Sequence, residues 1–337
     1  MFRKVYILFL SLILIFGFSF LPKTIIAQTT FDSIELTITP ENPEPNTTVV
    51  ASLNVYGMDI NTIYTTWFLN DKVVLAGNGE RLFSFNTGSV GTKNTLEVVG
   101  KMANGKTFSK KIALSPAKVD ILYEAESYTP PFYKGKAKFP FQGSLRIVAL
   151  PSFIDSNGKK VSNSRLIFKW KNGNQILNNQ SGYGKNILLY KSDESLPKQT
   201  EITAEVSFPE ESLIAVKKIL IEPTSPETVF YEENPEYGIL FNKALSETFT
   251  IEKEEATISA IPLFFGVTDK DSSLLNYKWI LADKSIEQGG SSIVLGNKSG
   301  KTGQTQLSVQ ISNTKDYFQA ADNSLNIIFK KINNLIK

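Results

Sequence analysis

The sequence predicts an all-β protein: three tandem β-sandwich modules behind an N-terminal apolar segment. Three observations carry that expectation. Trp67, Trp170 and Trp279 sit in near-copies of one pattern, IYTTWFLNDK, LIFKWKNGNQ and LNYKWILADK, 103 and 109 residues apart, and such recurrence marks a repeated module. Apolar and polar residues alternate with period two nearly everywhere after residue 30, as in strands with one buried and one wet face. Turn residues interrupt these runs at short intervals, and no helix of ten or more residues is expected.

Arg3 and Lys4 open the chain, Val5–Leu21 is nearly all apolar, and small and polar residues follow through Ala27. That order is the signature of an export signal, with Ala27 as the last residue before cleavage. The apolar run is slightly short for a full bilayer span, so retention as an anchor is the alternative to removal. Residues 1–27 are therefore expected as a signal peptide or signal anchor. The rest of the chain is expected outside the cytoplasm: extracellular, at the cell surface or periplasmic.

Within the first module, Ile34, Leu36 and Ile38 alternate with polar residues, then Val49, Ala51, Leu53 and Val55, then Thr65, Trp67 and Leu69. Asn104-Gly105 reads as a two-residue hairpin turn, because both positions tolerate positive φ, and Asn172-Gly173 follows the second Trp in the same way. Other stretches repeat in the same order. KKIALSP at 110–116 matches KKILIEP at 217–223, VALPSF at 148–153 matches SAIPLF at 259–264, and YEAESY at 123–128 matches YEENPE at 231–236. The offsets drift by a few residues, as loop insertions in a tandem array produce. The modules are placed at 30–116, 117–224 and 225–331, with Ser115-Pro116 and Pro223–Pro226 as short stiff joins, since proline fixes φ.

Each module approaches the ~100 residues of an immunoglobulin-like sandwich, with a Trp in mid-strand. Without cysteine, that Trp must rest on apolar residues of the opposite sheet; Leu96, Val98, Phe108 and Ile112 are the candidates in the first copy. Alternating strand, Trp, turn, Gly-rich hairpin and a TLxV-like strand together resemble the Ig-like and PKD-like repeats of bacterial surface and secreted proteins. The resemblance implies a spacer, an adhesive surface or a scaffold in a cell-envelope assembly.

The chain contains neither cysteine nor histidine. Ser-His-Asp and Cys-His catalysis and zinc sites of the His or Cys type are thereby excluded, leaving carboxylate, lysine, tyrosine or oxygen-ligand chemistry. Removing Arg3, Lys4 and Lys23 takes the formal net charge from +3 to zero, which gives no reason to expect a nucleic-acid partner. Gly77-x-Gly79 and Gly182-x-Gly184 precede strand-like runs, so they lack the helix that a phosphate loop needs. Asp155, Asn157 and Gly158, or Asp269 and Asp271, offer oxygen ligands, but Lys159, Lys160 and Lys270 oppose calcium. Paired acids such as Glu124 and Glu126, or Glu232 and Glu233, suit solvated loops. No cofactor, no metal and no catalytic residue are expected.

Recurrence at one packing position assigns Trp67, Trp170 and Trp279 to the cores rather than to ligand platforms. The candidate interaction patch is Tyr128, Phe132, Tyr133 and Phe139, set among Lys134, Lys136 and Lys138. Exposed aromatics with cations suit an interface; the alternative is packing across a module junction. The expected partners are envelope or surface proteins, or polysaccharide, with membrane contact only through an uncleaved N-terminal segment. The expected role is an exported, non-catalytic scaffold, spacer or adhesion protein serving a surface-structure assembly. A polysaccharide-binding surface module and a carboxylate-based hydrolase are the alternatives.

Overall fold

The computed structural model describes residues 33–192, 198–286, 289–298 and 300–331, so the expected signal or anchor at 1–27 lies outside the described residues. The described residues form β-strands and a few three-residue 3-10 turns. None of their helices is long and apolar enough to cross a membrane. The chain is all-β, and its paired sheets make immunoglobulin-like sandwiches in tandem. By contacts it divides into two compact units. Of the described residues, one takes those through Thr37 with Ala51–Phe83 and Leu96–Ile112; the other takes Ile38–Val50, Ser84–Thr95 and those from Ala113 onward.

The first seven strands are β1 (Ile34–Thr39), β2 (Thr48–Val55), β3 (Tyr64–Leu69), β4 (Lys72–Asn78), β5 (Leu82–Asn86), β6 (Asn94–Lys101) and β7 (Thr107–Leu114). They form sheets ordered β1-β2-β5 and β4-β3-β6-β7. Alternation drives the core: β6 buries Leu96 and Val98 and turns Thr95 and Glu97 outward. Trp67, paired with Val98, has no exposed surface. Its ring lies 6.1 Å from that of Phe83, and its indole N–H donates to the Glu80 carbonyl at 2.9 Å. Gly100 admits the Phe108 ring so closely that an added Cβ would lie 2.2 Å from it.

The turns depart from the sequence reading. At β6–β7 only Gly105 has positive φ; Asn104 does not. Gly105 N–H donates to Met102 O at 2.9 Å and Met102 N–H to Lys106 O at 2.9 Å. That is a type I turn closed by a glycine bulge, a three-residue loop rather than a two-residue one. The two-residue primed turns fall instead at Asn70-Asp71 and Ala282-Asp283, where both residues have positive φ.

The next eight strands are β8 (Lys118–Ala125), β9 (Ser144–Ser152), β10 (Ile167–Asn172), β11 (Gln175–Ile176), β12 (Gly182–Tyr183), β13 (Ile187–Lys191), β14 (Thr200–Phe208) and β15 (Leu213–Ile221). Sheet β13-β9-β8 faces sheet β11-β10-β14-β15, and β12 pairs with β10. One core cluster runs from Ala117 to Ile221. Trp170 is paired with Ala204, and its indole donates to Lys185 O at 2.9 Å.

The last nine strands are β16 (Glu227–Asn234), β17 (Gly238–Leu245), β18 (Thr248–Ile251), β19 (Glu255–Leu263), β20 (Leu275–Leu281), β21 (Lys284–Ile286), β22 (Ser292–Gly296), β23 (Gly303–Asn313) and β24 (Ala320–Phe329). They form sheets β17-β16-β19-β22 and β18-β24-β23-β20-β21. β18 runs parallel to β24, so the chain changes sheet between β17 and β18. This core runs from Phe230 to Ile327. Trp279 lies 6.1 Å from Phe230 and donates to Gly290 O at 2.9 Å.

Trp170→Phe keeps a ring but removes the donor to Lys185 O and leaves a void. The second sandwich should lose about 2–4 kcal/mol of unfolding free energy, read by circular dichroism as an earlier denaturant midpoint. An unchanged midpoint would contradict the role given to the indole.

Candidate functional site

The segment between β8 and β9 carries the patch residues, and all of it belongs to the second compact unit. Pro130, Pro131 and Pro140 keep it out of helix and ladder, because each lacks an N–H and fixes φ. It therefore crosses as an irregular strap. Tyr128 N–H donates to Phe265 O at 2.8 Å, and Tyr128 O accepts from Phe264 N–H at 2.9 Å. The Tyr128 ring is half-buried against both the main core of the third sandwich and a satellite cluster of Ile261, Leu263 and Phe264. Tyr133 stands edge-on to Phe264 at 5.7 Å, with Lys138 Nζ 4.8 Å from the centre of the same ring. Lys136 Nζ sits 3.4 Å from the centre of the Tyr123 ring.

The strap returns through Phe139, whose carbonyl accepts from Thr224 N–H at 2.7 Å. Phe139 is only 3% exposed, belongs to the second core and lies 6.5 Å from Tyr190. It is a core side chain and is not part of an exposed patch. Lysines nearby do not hold it out, since a Phe ring gains more from burial than from a wet cation contact.

Gln319 ties the far end of the strap, although it has no exposed surface. Its Nε2 donates to Phe141 O at 2.7 Å. Its Oε1 accepts from Gly266 N–H at 2.7 Å and from Asn313 Nδ2 at 3.0 Å. Phe318 N–H donates to Gln142 Oε1 at 3.1 Å, and Lys191 pairs with Asp316 at 3.0 Å. Sequence reading missed Gln319, because an amide in the polar turn DYFQAADN looks solvated. Phe264 and Phe265 carried a signal, two adjacent aromatics that a strand with one buried face cannot both hide.

At the tip, Tyr133 N–H donates to Pro130 O at 3.2 Å. Phe132 occupies the third place of this turn at φ 65°, a position that favours glycine. It is 89% exposed, against 36% for Tyr133. Gly135 lets the Tyr133 ring fold back, since a Cβ there would lie 2.6 Å from it. Of the four patch residues, the structure leaves Phe132 uncovered, Tyr133 partly covered, Tyr128 in the junction and Phe139 in the core.

A cleft of about 650 Å³ opens beside the strap, with Glu124, Glu126, Tyr128, Gln142, Arg146 and Asp316 among its walls. The neighbouring Asp269 is spent locally: its Oδ1 accepts from Asp271 N–H at 2.7 Å. Beyond the opposite end of β9, Asp155 Oδ1 accepts from Asn157 N–H at 3.0 Å and Lys159 N–H at 2.9 Å. Burial pushes the Asp271 carboxyl up, but hydrogen bonds from Lys270 and Ser291 outweigh it and hold the group below its ordinary value. Burial, with Asp271, Tyr128 and Asp269 close by, pushes Tyr277 far up; its hydroxyl donates to Lys270 O at 2.6 Å. Burial likewise raises Tyr128, with Asp269 and Asp271 adding to it. Among the described residues no group of three His, Cys, Asp or Glu side chains is set to hold a metal ion.

No protein-family model and no curated protein matches the chain. Among solved structures it is similar to three N-terminal domains of the highly immunogenic outer capsid protein of bacteriophage RB49, at 10% identity over 89% of this chain and 99% of that one, with a TM-score of 0.27. It is also similar to the central fibronectin-III array of RIM-binding protein, at 11% identity over 87% of this chain and 95% of that one, TM-score 0.30. Fibronectin(III)-like modules of Clostridium thermocellum CbhA match at 11% identity over 56% of this chain and 94% of that one, TM-score 0.29.

Gln319→Leu leaves Gly266 N–H and Phe141 O without their partner. Amide exchange at Gly266 and Tyr128 should quicken at least about tenfold, measured by hydrogen–deuterium exchange; unchanged protection would remove Gln319 from the junction. Tyr277 gives a pH test. Its folded form holds the proton above the ordinary value of 10.0, so its contribution is intact below that pH and is lost as pH rises toward the folded value. Thermal stability should fall above pH 10, and Tyr277→Phe should flatten that limb. An identical decline in the variant would rule Tyr277 out as its source.

Proposed function

We propose that this chain is an exported, non-catalytic scaffold and adhesion protein of a cell envelope, with modules at 30–116, 117–224 and 225–331. The observation that carries the reading is Phe132. A bulky residue at positive φ costs roughly 1–2 kcal/mol, and an exposed ring gains nothing from the protein's own core. Such strain points to function when the surroundings enforce it. Here Pro130, Pro131 and the Tyr133–Phe264 contact enforce it. A rigid aromatic tip loses little entropy on docking, which suits an interface anchor. Lys134 beside it favours a partner surface with acidic groups around an apolar recess.

Export rests on the charged start, the apolar run and Ala27. The absence of histidine and cysteine from the whole chain supports a non-catalytic role. Cell fractionation with intact-mass measurement tests the location: the chain should appear outside the cytoplasm, beginning after Ala27 or retained whole in the membrane. Recovery of uncleaved chain in the cytoplasm would end the proposal.

Phe132→Gly separates anchor from structure. It relieves the positive-φ strain at the cost of chain entropy, for a net gain of about 0.5–1 kcal/mol in stability. Retention on isolated envelopes of the source cells should fall about tenfold or more, measured by co-sedimentation. Unchanged retention would show that Phe132 anchors nothing.

A further inference from the structure

The cleft beside the strap has features that the anchor does not use. Its walls are tied at both ends, by the paired Tyr128 bonds to Phe264 and Phe265 and by Gln319 between Phe141 and Gly266. A ligand entering it would not have to order them. Its volume, about 650 Å³, lies within the ~300–1,000 Å³ usual for small-molecule sites.

Polar groups in the walls keep capacity to spare. Gln142 spends its oxygen on Phe318 N–H, while its amide nitrogen donates to no described residue. The Glu124 carboxylate has no partner among the described residues, and Glu126 meets Arg146 only at 3.7 Å. Carboxylate, amide and guanidinium are planar groups that take or give two hydrogen bonds at once. Vicinal hydroxyls on a sugar ring present that spacing. Apolar sugar faces find rings nearby: Tyr128 is in the wall, and Tyr317 and Phe318, which follow Asp316, are 78% and 50% exposed. Charge then narrows the class. Three carboxylates, Glu124, Glu126 and Asp316, stand against one guanidinium, with Lys191 already on Asp316. An acidic glycan would be repelled.

We propose that this cleft binds a short oligosaccharide free of acidic groups. The site is distinct from the Phe132 tip, and either can fail without the other.

The test titrates the full-length chain with cellotriose, an uncharged trimer, and with trigalacturonic acid, by calorimetry and saturation-transfer NMR. The trimer should bind saturably with a Kd below about 10 mM, since a few net hydrogen bonds and one ring contact suffice for that. The double variant Glu126→Gln, Tyr317→Ala should weaken it about tenfold, with its circular dichroism unchanged. Glu126 and Arg146 are both well exposed, so their loose pair adds little to folding. Phe132→Gly should leave sugar binding as it was. The site is refuted by no saturable binding of the trimer, by trigalacturonic acid binding as well or better, or by unaltered affinity in the folded double variant.

Discussion

In each sandwich a fully buried indole gives its N–H to a backbone carbonyl of the loop that follows its hairpin, and the rest of the architecture depends on that contact. Trp67 reaches Glu80, Trp170 reaches Lys185 and Trp279 reaches Gly290, each at 2.9 Å. A Trp in a core adds a large apolar area but also an N–H that must find an acceptor. The loop carbonyl satisfies it and pins the crossover from one sheet to the other, so both sheets are held about one side chain. With no disulfide available, this is how the sandwiches fix the spacing of their layers. The carbonyl lies 13, 15 and 11 residues beyond the Trp, which shows that loop length can vary while the contact persists.

The strap between β8 and β9 adds a second constraint by joining the cores of 117–221 and 230–327. Its polar groups are spent across the junction: Tyr128 exchanges two backbone bonds with Phe264 and Phe265, and a buried Gln319 amide serves three partners. Leaving any of these unpaired in a dry interface costs more than the bond itself gains. The same ties expose what remains. Once Phe139 and Tyr128 are drawn into packing, Phe132 is the strap aromatic left standing in water, on a turn whose φ it fits poorly.

Charge chemistry in the third sandwich follows from burial. Asp271 stays ionised because Lys270 and Ser291 hydrogen-bond to it, and its charge helps keep Tyr277 and Tyr128 protonated. The aspartates that suggest calcium ligands in a one-dimensional reading are here turn-formers. Asp155 and Asp269 each bond backbone N–H groups two residues on, which is what short carboxylates do in loops.

Period-two alternation, the recurring tryptophans and the missing histidine and cysteine by themselves determined the all-β class and the catalytic classes that are closed to this chain. These are local and compositional facts, carried by neighbours in sequence. The fate of the Tyr128–Phe141 aromatics was not legible, because Phe132 and Phe139 have the same chemistry and similar lysine-rich flanks. Only tertiary structure separated them: Phe139 meets Tyr190 in a core, while Phe132 follows two prolines that turn it outward. Gln319 escaped for the same reason. Its burial depends on a carbonyl 178 residues away, and no local pattern encodes a partner at that distance.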